Sequence, residues 1–368
     1  MPRPVIFNTD QSGSVSRTEF LAFAPCSSIL HPLNIRLTTV HSIIPILIAG
    51  SGVAVPEGVL MAAELDQQLG LSAGESLRLT GIEKRHYSVH ETASQLAVEA
   101  IYSALSDAAM CWDEIDCLVC ASATMDQALP YNAAMVLAQM NAGSHRVATC
   151  DVGASCLSFL HAFDLMSCAI TTGRYQNVVI VSADISTFTM DYQNLRENGI
   201  FGDGAAAVVL RQSDGLSCIH AVRSVTLPEG VDFCQIRSGG SRFHRRGSGE
   251  HSEAFFEMRG RRLFALVARE LPRFVEALLE DAGVKAAELA MMIPHQASRQ
   301  ALDHVARMLG FDDGRMVDVF SGFGNQVGAS LPTALHFAIH RHGLQRGQKV
   351  LLLGSGAGVS IGGMVFTY

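Results

Sequence analysis

The sequence predicts an α/β protein made of two similar halves. Three observations carry this. From about residue 43 onward, apolar runs of strand length alternate with longer runs of helical spacing, the pattern of helices packed around buried sheets. The run Val178-Val179-Ile180-Val181-Ser182-Ala183, followed by the glycine-led run from Gly202 to Leu210, has a later echo. It is Val350-Leu351-Leu352-Leu353-Gly354-Ser355, followed by the run from Gly358 to Phe366. Finally, 48% of the residues are hydrophobic and only 17% charged, which suits a large core.

The elements follow in order. Residues 43–48 form a first buried strand, stopped by Ala49-Gly50-Ser51-Gly52. Residues 92–109 carry the alanine and aliphatic spacing of a helix, 116–123 a strand, and 131–140 a helix. A strand over 147–152 leads into a helix over 157–171. Two apolar runs, 177–183 and 205–211, read as paired strands. The pattern then restarts: strand 217–226, long helix 260–282, strand 289–293, helix 298–309, strand 317–320 and helix 329–340. Strands over 350–353 and 359–367 close it. A division at Ser213-Asp214-Gly215 gives halves of 43–215 and 216–368. Residues 1–42 precede the pattern and are expected to be a flexible N-terminal extension.

Composition removes several functions. A net charge of −8 argues against nucleic-acid binding. Nine cysteines are too odd in number and too often within apolar runs for a disulfide framework, so a reducing cytoplasm is expected. Cys117-Leu118-Val119-Cys120 has the form of a metal or redox pair. In a strand its two thiols face opposite ways, and no second pair accompanies it, so it reads as core. No apolar run is long enough to span a bilayer, and the N-terminus has no basic leader.

Three turns carry the chemistry. Cys156 lies in Asp151-Val152-Gly153-Ala154-Ser155-Cys156-Leu157-Ser158, where a strand ends and a helix begins. Free N–H groups and the helix dipole favour thiolate there, a nucleophile for acyl transfer. A buried structural cysteine is the plain alternative. His295, in Ile293-Pro294-His295-Gln296-Ala297-Ser298, and Asn325, in Gly322-Phe323-Gly324-Asn325-Gln326-Val327-Gly328, occupy similar strand-to-helix turns. Alone, either is an ordinary turn or structural residue. Together they place Cys, His and Asn at one end of a sheet, with the cysteine from one half and its partners from the other. A pocket between the halves is expected.

These segments resemble the beta-ketoacyl-acyl-carrier-protein synthase III family of the thiolase superfamily. The resemblance runs from about residue 43 to the C-terminus. It includes Thr80-Gly81-Ile82-Glu83-Lys84-Arg85, Phe201-Gly202-Asp203-Gly204-Ala205-Ala206-Ala207, Phe256-Glu257-Met258-Arg259-Gly260 and Gly354-Ser355-Gly356-Ala357-Gly358. It implies a thiolase-like, pseudo-symmetric, five-layered α-β-α-β-α architecture. It also implies a decarboxylating Claisen condensation without cofactor or metal. Cys156 takes an acyl group from a coenzyme A or acyl-carrier-protein thioester. A malonyl-type thioester then loses CO2 and attacks the acyl-cysteine.

In that scheme His295 and Asn325 stabilise the enolate, and the backbone N–H groups of Cys156 and Ala357 form the oxyanion hole. Phe201, Met190, Met125 and Ser298 are expected to line the substrate channel. Asp203 is expected to cap local N–H groups. Arg259, Arg261 and Arg262, with the run 242–246, form either a solvated basic face or a carrier docking site. A homodimer is implied, with its contact over 121–131. Two positions depart from the family pattern. No Trp precedes Thr80-Gly81-Ile82, where Arg78 is one place out of register, and Ser298 stands where Asn is usual. They point to a donor other than acetyl-CoA. Acyl transfer to an alcohol, an amine or a second acyl thioester is the alternative on the same fold, and a silent partner subunit is another.

Overall fold

The computed structural model describes residues 43–368 except 141, 142, 144, 241–253 and 312. The N-terminal extension and the basic run 242–246 lie outside the described residues. The first half begins with β1 (Ile44–Ala54), a hairpin of β2 (Gly58–Met61) and β3 (Lys84–Tyr87), and helices α1 (Ala62–Leu69), α2 (Glu75–Thr80) and α3 (Ala93–Asp107). It continues through β4 (Cys117–Cys120), α4 (Asn132–Gln139), β5 (Ala148–Asp151), α5 (Ser158–Thr171), β6 (Asn177–Asp184), α6 (Leu195–Asn198) and β7 (Gly204–Gln212). The second half holds β8 (Cys218–Thr226), a small pair of β9 (Cys234–Gln235) and β10 (Glu257–Met258), α7 (Gly260–Ala282), β11 (Leu289–Pro294) and α8 (Arg299–Leu309). It ends with α9 (Phe320–Phe323), α10 (Ser330–His340), β12 (Lys349–Gly356) and β13 (Ser360–Thr367).

The sheet pairings repeat. In the first half β4 runs parallel to β5 and β6, β7 is antiparallel to β6, and β1 is antiparallel to β7. In the second, β11 runs parallel to β12, β13 is antiparallel to β12, and β8 is antiparallel to β13. Ile44 and Pro45 of β1 also pair with β8, which joins the two sets. The suggested division at 213–215 falls in the turn between β7 and β8.

Alternation along the strands makes the layers. Val178 and Ile180 of β6, and Val350 and Leu352 of β12, point into one central core with Phe159 and Phe163 of α5 and Leu331 and Leu335 of α10. Val179 and Val181 point the other way, toward Leu96 and Ile101 of α3 and Val136 of α4. Leu351 and Leu353 point outward to Leu271, Phe274 and Leu278 of α7 and Val305 of α8. Strands apolar on both faces need helices on both sides, and the result is five layers, α-β-α-β-α. Cys117 and Cys120 belong to opposite cores, as the strand reading requires.

Two expectations change. The first strand does not stop at Gly50 and Gly52. A Cβ on Gly50 would lie 2.4 Å from the Ala108 backbone N, and one on Gly52 2.3 Å from that of Ala104, so these glycines let α3 lie directly on the strand. Residues 317–320 are not a strand. Met316 makes a single bridge to Met292, and Phe320 starts α9. Nearby N–H groups go to side chains instead: Val319 N donates to Gln296 Oε1 and Phe320 N to Asp318 Oδ1.

Candidate active site

Cys156 sits in a 3-10 turn, Ser155–Leu157, that runs into α5. Ser155 is left-handed at φ 53°, a conformation non-glycine residues avoid at a cost of about 1–3 kcal/mol. Ser158 holds the turn: its Oγ accepts from Ala154 N at 2.8 Å and donates to Ser155 O at 2.7 Å. The N–H groups of Ala357 and of Cys156 itself bond the sulfur and favour its charged form. Burial acts more strongly and, with the nearby Cys234 and Asp184, pushes the thiol well above its usual range. The residue is partly exposed, but to a cavity. The sequence leads one to expect a resting thiolate. Desolvation outweighs the helix terminus, so the resting group is a thiol.

His295 follows β11, its N–H donating to Leu353 O at 2.8 Å. Burial alone lowers its pKa to about 4, so the ring is neutral near pH 7. Its Nδ1 is buried with no partner among the described residues. Gly354 makes room for it: a Cβ there would be 3.0 Å from both His295 Cβ and Leu157 Cδ2.

Asn325 is clamped by its backbone. Its N–H donates to Ile200 O at 2.8 Å, and its carbonyl accepts from Gly202 N at 3.1 Å. The side-chain Oδ1 accepts from Val327 N at 2.8 Å, which orients the amide so that Nδ2 donates to Ala297 O at 3.2 Å. The amide therefore lies against the His295 turn. Gln296 ties that turn down, donating to Pro294 O and Val317 O at 2.8 and 3.2 Å.

Cys156, His295, Asn325 and Ala357 all face one cavity of about 1160 Å³. Phe201 and Ser298 also line it. Phe201 packs edge-on against Phe256 at 4.8 Å, and Ser298 caps α8 by accepting from Ala301 N at 3.2 Å. Met190 and Met125 do not line it. Met190 is buried with Ile82, Leu302 and Phe320 and receives Arg85 Nη1 at 3.6 Å, whereas Met125 is half exposed. Arg259, Arg261 and Arg262 stand on the cavity wall, all exposed, with Arg259 paired to Asp232 at 2.7 Å. Asp203 does cap: it accepts from the N–H groups of Ser88, Ser186 and Thr187.

Sequence reasoning missed Asp184. This carboxylate ends β6, is fully buried, and accepts from Ala123 N, Thr124 N and Ala329 N at 2.8, 2.7 and 3.2 Å. It joins the ends of β4 and β6 to the turn that follows Asn325. Burial raises its pKa to about 6 against those donors. Its place at the end of an apolar run is the signal that could have found it.

The chain is similar to known proteins. A family profile described as 3-Oxoacyl-[acyl-carrier-protein (ACP)] synthase III matches residues 150–225, and its C-terminal counterpart matches 279–368. The beta-ketoacyl-[acyl-carrier-protein] synthase III of Aquifex aeolicus is 30% identical over 87% of this chain and 99% of its own. That of Rhodospirillum centenum is 32% identical over 86% and 97%. The chain belongs to the beta-ketoacyl-[acyl-carrier-protein] synthase III family. It is a condensing acyltransferase of that type.

The crystal structure of the Aquifex aeolicus synthase III superposes with a TM-score of 0.78 over 88% of this chain, at 28% identity. Xanthomonas campestris OleA, at 20% identity and a TM-score of 0.77, shares the thiolase-like fold. Among the described residues no helix is long and apolar enough to cross a membrane.

Proposed function

We propose that Cys156 is the acyl carrier of a two-stage decarboxylative condensation, with His295 and Asn325 serving the second stage. In the first stage Cys156 Sγ attacks a thioester carbonyl. The oxyanion is held by the N–H groups of Cys156 and Ala357, and the departing thiol takes the proton that the cysteine gives up. In the second stage a malonyl-type thioester loses CO2. The charge passes to its thioester oxygen, and the resulting carbon nucleophile attacks the acyl-cysteine and frees the sulfur. His295 and Asn325 Nδ2 donate to that enolate oxygen. An unpartnered buried Nδ1 is less costly as a bare lone pair than as an N–H, so the ring proton belongs on Nε2. Every step uses side-chain or backbone groups of this chain, and the reading takes no cofactor.

The observation that carries the reading is the convergence of Cys156, Ala357, His295 and Asn325 on one cavity from both halves. The exposed arginines on its wall suit the phosphates of a coenzyme A or the acidic surface of a carrier protein as donor. A second copy of the chain suits β5, which lies at the sheet edge with mostly exposed residues. The exposed Met125, Leu129 and Tyr131 nearby would be covered with it. The free described cysteines fit a reducing cytoplasm.

The test separates the stages. Intact-protein mass after incubation with acyl-CoA and acyl-carrier thioesters should show one acyl group on the wild type and none on Cys156→Ala. Asn325→Ala should keep the adduct, while CO2 release from malonyl thioester falls by ~10²–10³-fold. Full condensation by Asn325→Ala would remove the enolate role.

A further inference from the structure

The amide of Asn325 is aimed by groups that the reaction does not touch. The clamp to Ile200 and Gly202 fixes its backbone, but the terminal torsion of an asparagine has no sharp preference of its own. Val327 N–H supplies the direction by donating to Oδ1 at 2.8 Å. Nδ2 then gives one proton to Ala297 O at 3.2 Å and keeps the other for the cavity. Val327 stands in that place with a left-handed backbone, at φ 52°, a conformation that a β-branched residue avoids. Such strain persists only where neighbouring contacts hold the turn.

Asp184 is placed to hold it. The carboxylate is fully buried, and its partners among the described residues are N–H and O–H donors. Oδ1 accepts from Ala123 N, Thr124 N and Thr124 Oγ1 at 2.8, 2.7 and 3.0 Å. Oδ2 accepts from Ala329 N at 3.2 Å, and Gly328 N–H also bonds the carboxylate. A Cβ on Gly328 would lie 2.8 Å from Oδ2, so the turn rests directly on it. Capping a helix start does not require this, since an exposed serine or aspartate does so without burying a charge. Ser330 already ties the start of α10 by accepting from Gln326 N at 2.9 Å. Ala123, Thr124 and Val327 line the cavity, and Asp184 lies behind them.

We propose that Asp184 is a positioning residue for the second stage: by gripping the turn Val327–Ala329 it holds Val327 so that the Asn325 amide faces the enolate oxygen. The inference rests on the condensing reading of the site and adds the residue that aims one of its donors. On the first stage Asp184 acts in the opposite sense, because its charge opposes ionisation of Cys156.

The test follows both stages in Asp184→Asn. The kcat for CO2 release from malonyl thioester by the acyl-enzyme should fall ~10²-fold with KM unchanged, since the misaimed donor acts in the transition state. Acylation of Cys156, followed by intact mass, should be at least as fast as in the wild type. A lesion that only loosened the fold would slow both stages. In an Asn325→Ala background Asp184→Asn should cause no further loss of release, because it acts through that amide. Gly328→Ala pushes the turn off an intact carboxylate, should give the same split, and takes the place of Asp184→Asn if that variant does not fold. Unchanged CO2 release, parallel loss of both stages, or losses that multiply in the double variant each overturn the proposal. Full release by Asn325→Ala alone would instead overturn the enolate reading on which the proposal stands.

Discussion

The turn that carries Cys156 and the turn that follows Asn325 share a backbone but differ in how they are filled. Each is a 3-10 turn ahead of a helix, Ser155–Leu157 before α5 and Val327–Ala329 before α10. Each opens with a left-handed residue, Ser155 at φ 53° and Val327 at φ 52°. Each is tied by a serine at the helix start: Ser158 Oγ accepts from Ala154 N at 2.8 Å, and Ser330 Oγ from Gln326 N at 2.9 Å. Cys156 therefore corresponds to Gly328. The strand ends correspond as well, since Gly356 closes β12 beside the first turn and Asp184 closes β6 beside the second.

The side chains are exchanged between these positions. A Cβ on Gly356 would lie 3.6 Å from Cys156 N, so glycine keeps the space before those donors open. In the other half the cysteine position is glycine, and a Cβ there would lie 2.8 Å from Asp184 Oδ2, which fills the same space. In the proposed reaction, one turn keeps its N–H groups for a charge that forms on the substrate. The other has satisfied them with a resident carboxylate, a favourable neighbour for the start of a helix. A duplicated fold thus supplies two potential anion sites, and a side chain at the strand end decides which one is left open.

The strongest challenge to this comparison is Gly356→Asp, which gives the first turn the second turn's carboxylate. Acylation of Cys156, followed by mass, should slow by ~10²–10³-fold with the fold retained. An unchanged rate would mean that the two strand ends are not equivalent. Next is Asp184→Asn, which replaces an acceptor oxygen with a donor and should destabilise by about 2 kcal/mol in urea unfolding. The sign of its pH dependence follows from burial. The folded carboxyl holds its proton up to about pH 6, beyond the ordinary carboxylate range near 3.8. Its contribution is complete below about pH 4 and declines as pH rises through 6. The deficit of the variant should therefore shrink over that interval. The smallest effects belong to Ser158→Ala and Ser330→Ala. Each should lose ~1–2 kcal/mol, and by similar amounts, but only the first should slow acylation.

Much of this was legible beforehand because the strands are buried on both faces and the helices carry clear stops. The helix over 260–282 ends where Gly283 turns left-handed at φ 61°. Cys156, His295 and Asn325 were legible because they stand where apolar runs end. Less legible was anything decided by what packs on top. Gly50 and Gly52 look like a break until α3 is laid over them, and Val319 belongs to no ladder because Gln296 takes its N–H. Met190 was expected to line the channel, but the sequence does not reveal which way its side chain turns after the 3-10 turn at Thr187–Thr189, and Arg85 meets it in the core. Asp184 was hidden because its partners come from two distant segments, 123–124 and the turn at 329.

The strand pairings also bear on how the chain is made. β1 must wait for β7, whose pairing Val53↔Ala206 spans about 150 residues, and β13 inserts between β12 and β8, themselves more than 120 residues apart. Contacts so far apart in sequence slow folding, and at ~5–20 residues per second the ribosome needs several seconds or more to supply each partner. A nascent chain halted before β13 would hold β8 and β12 with a strand-wide gap between them. Its exposed edges would then make it a client for chaperones.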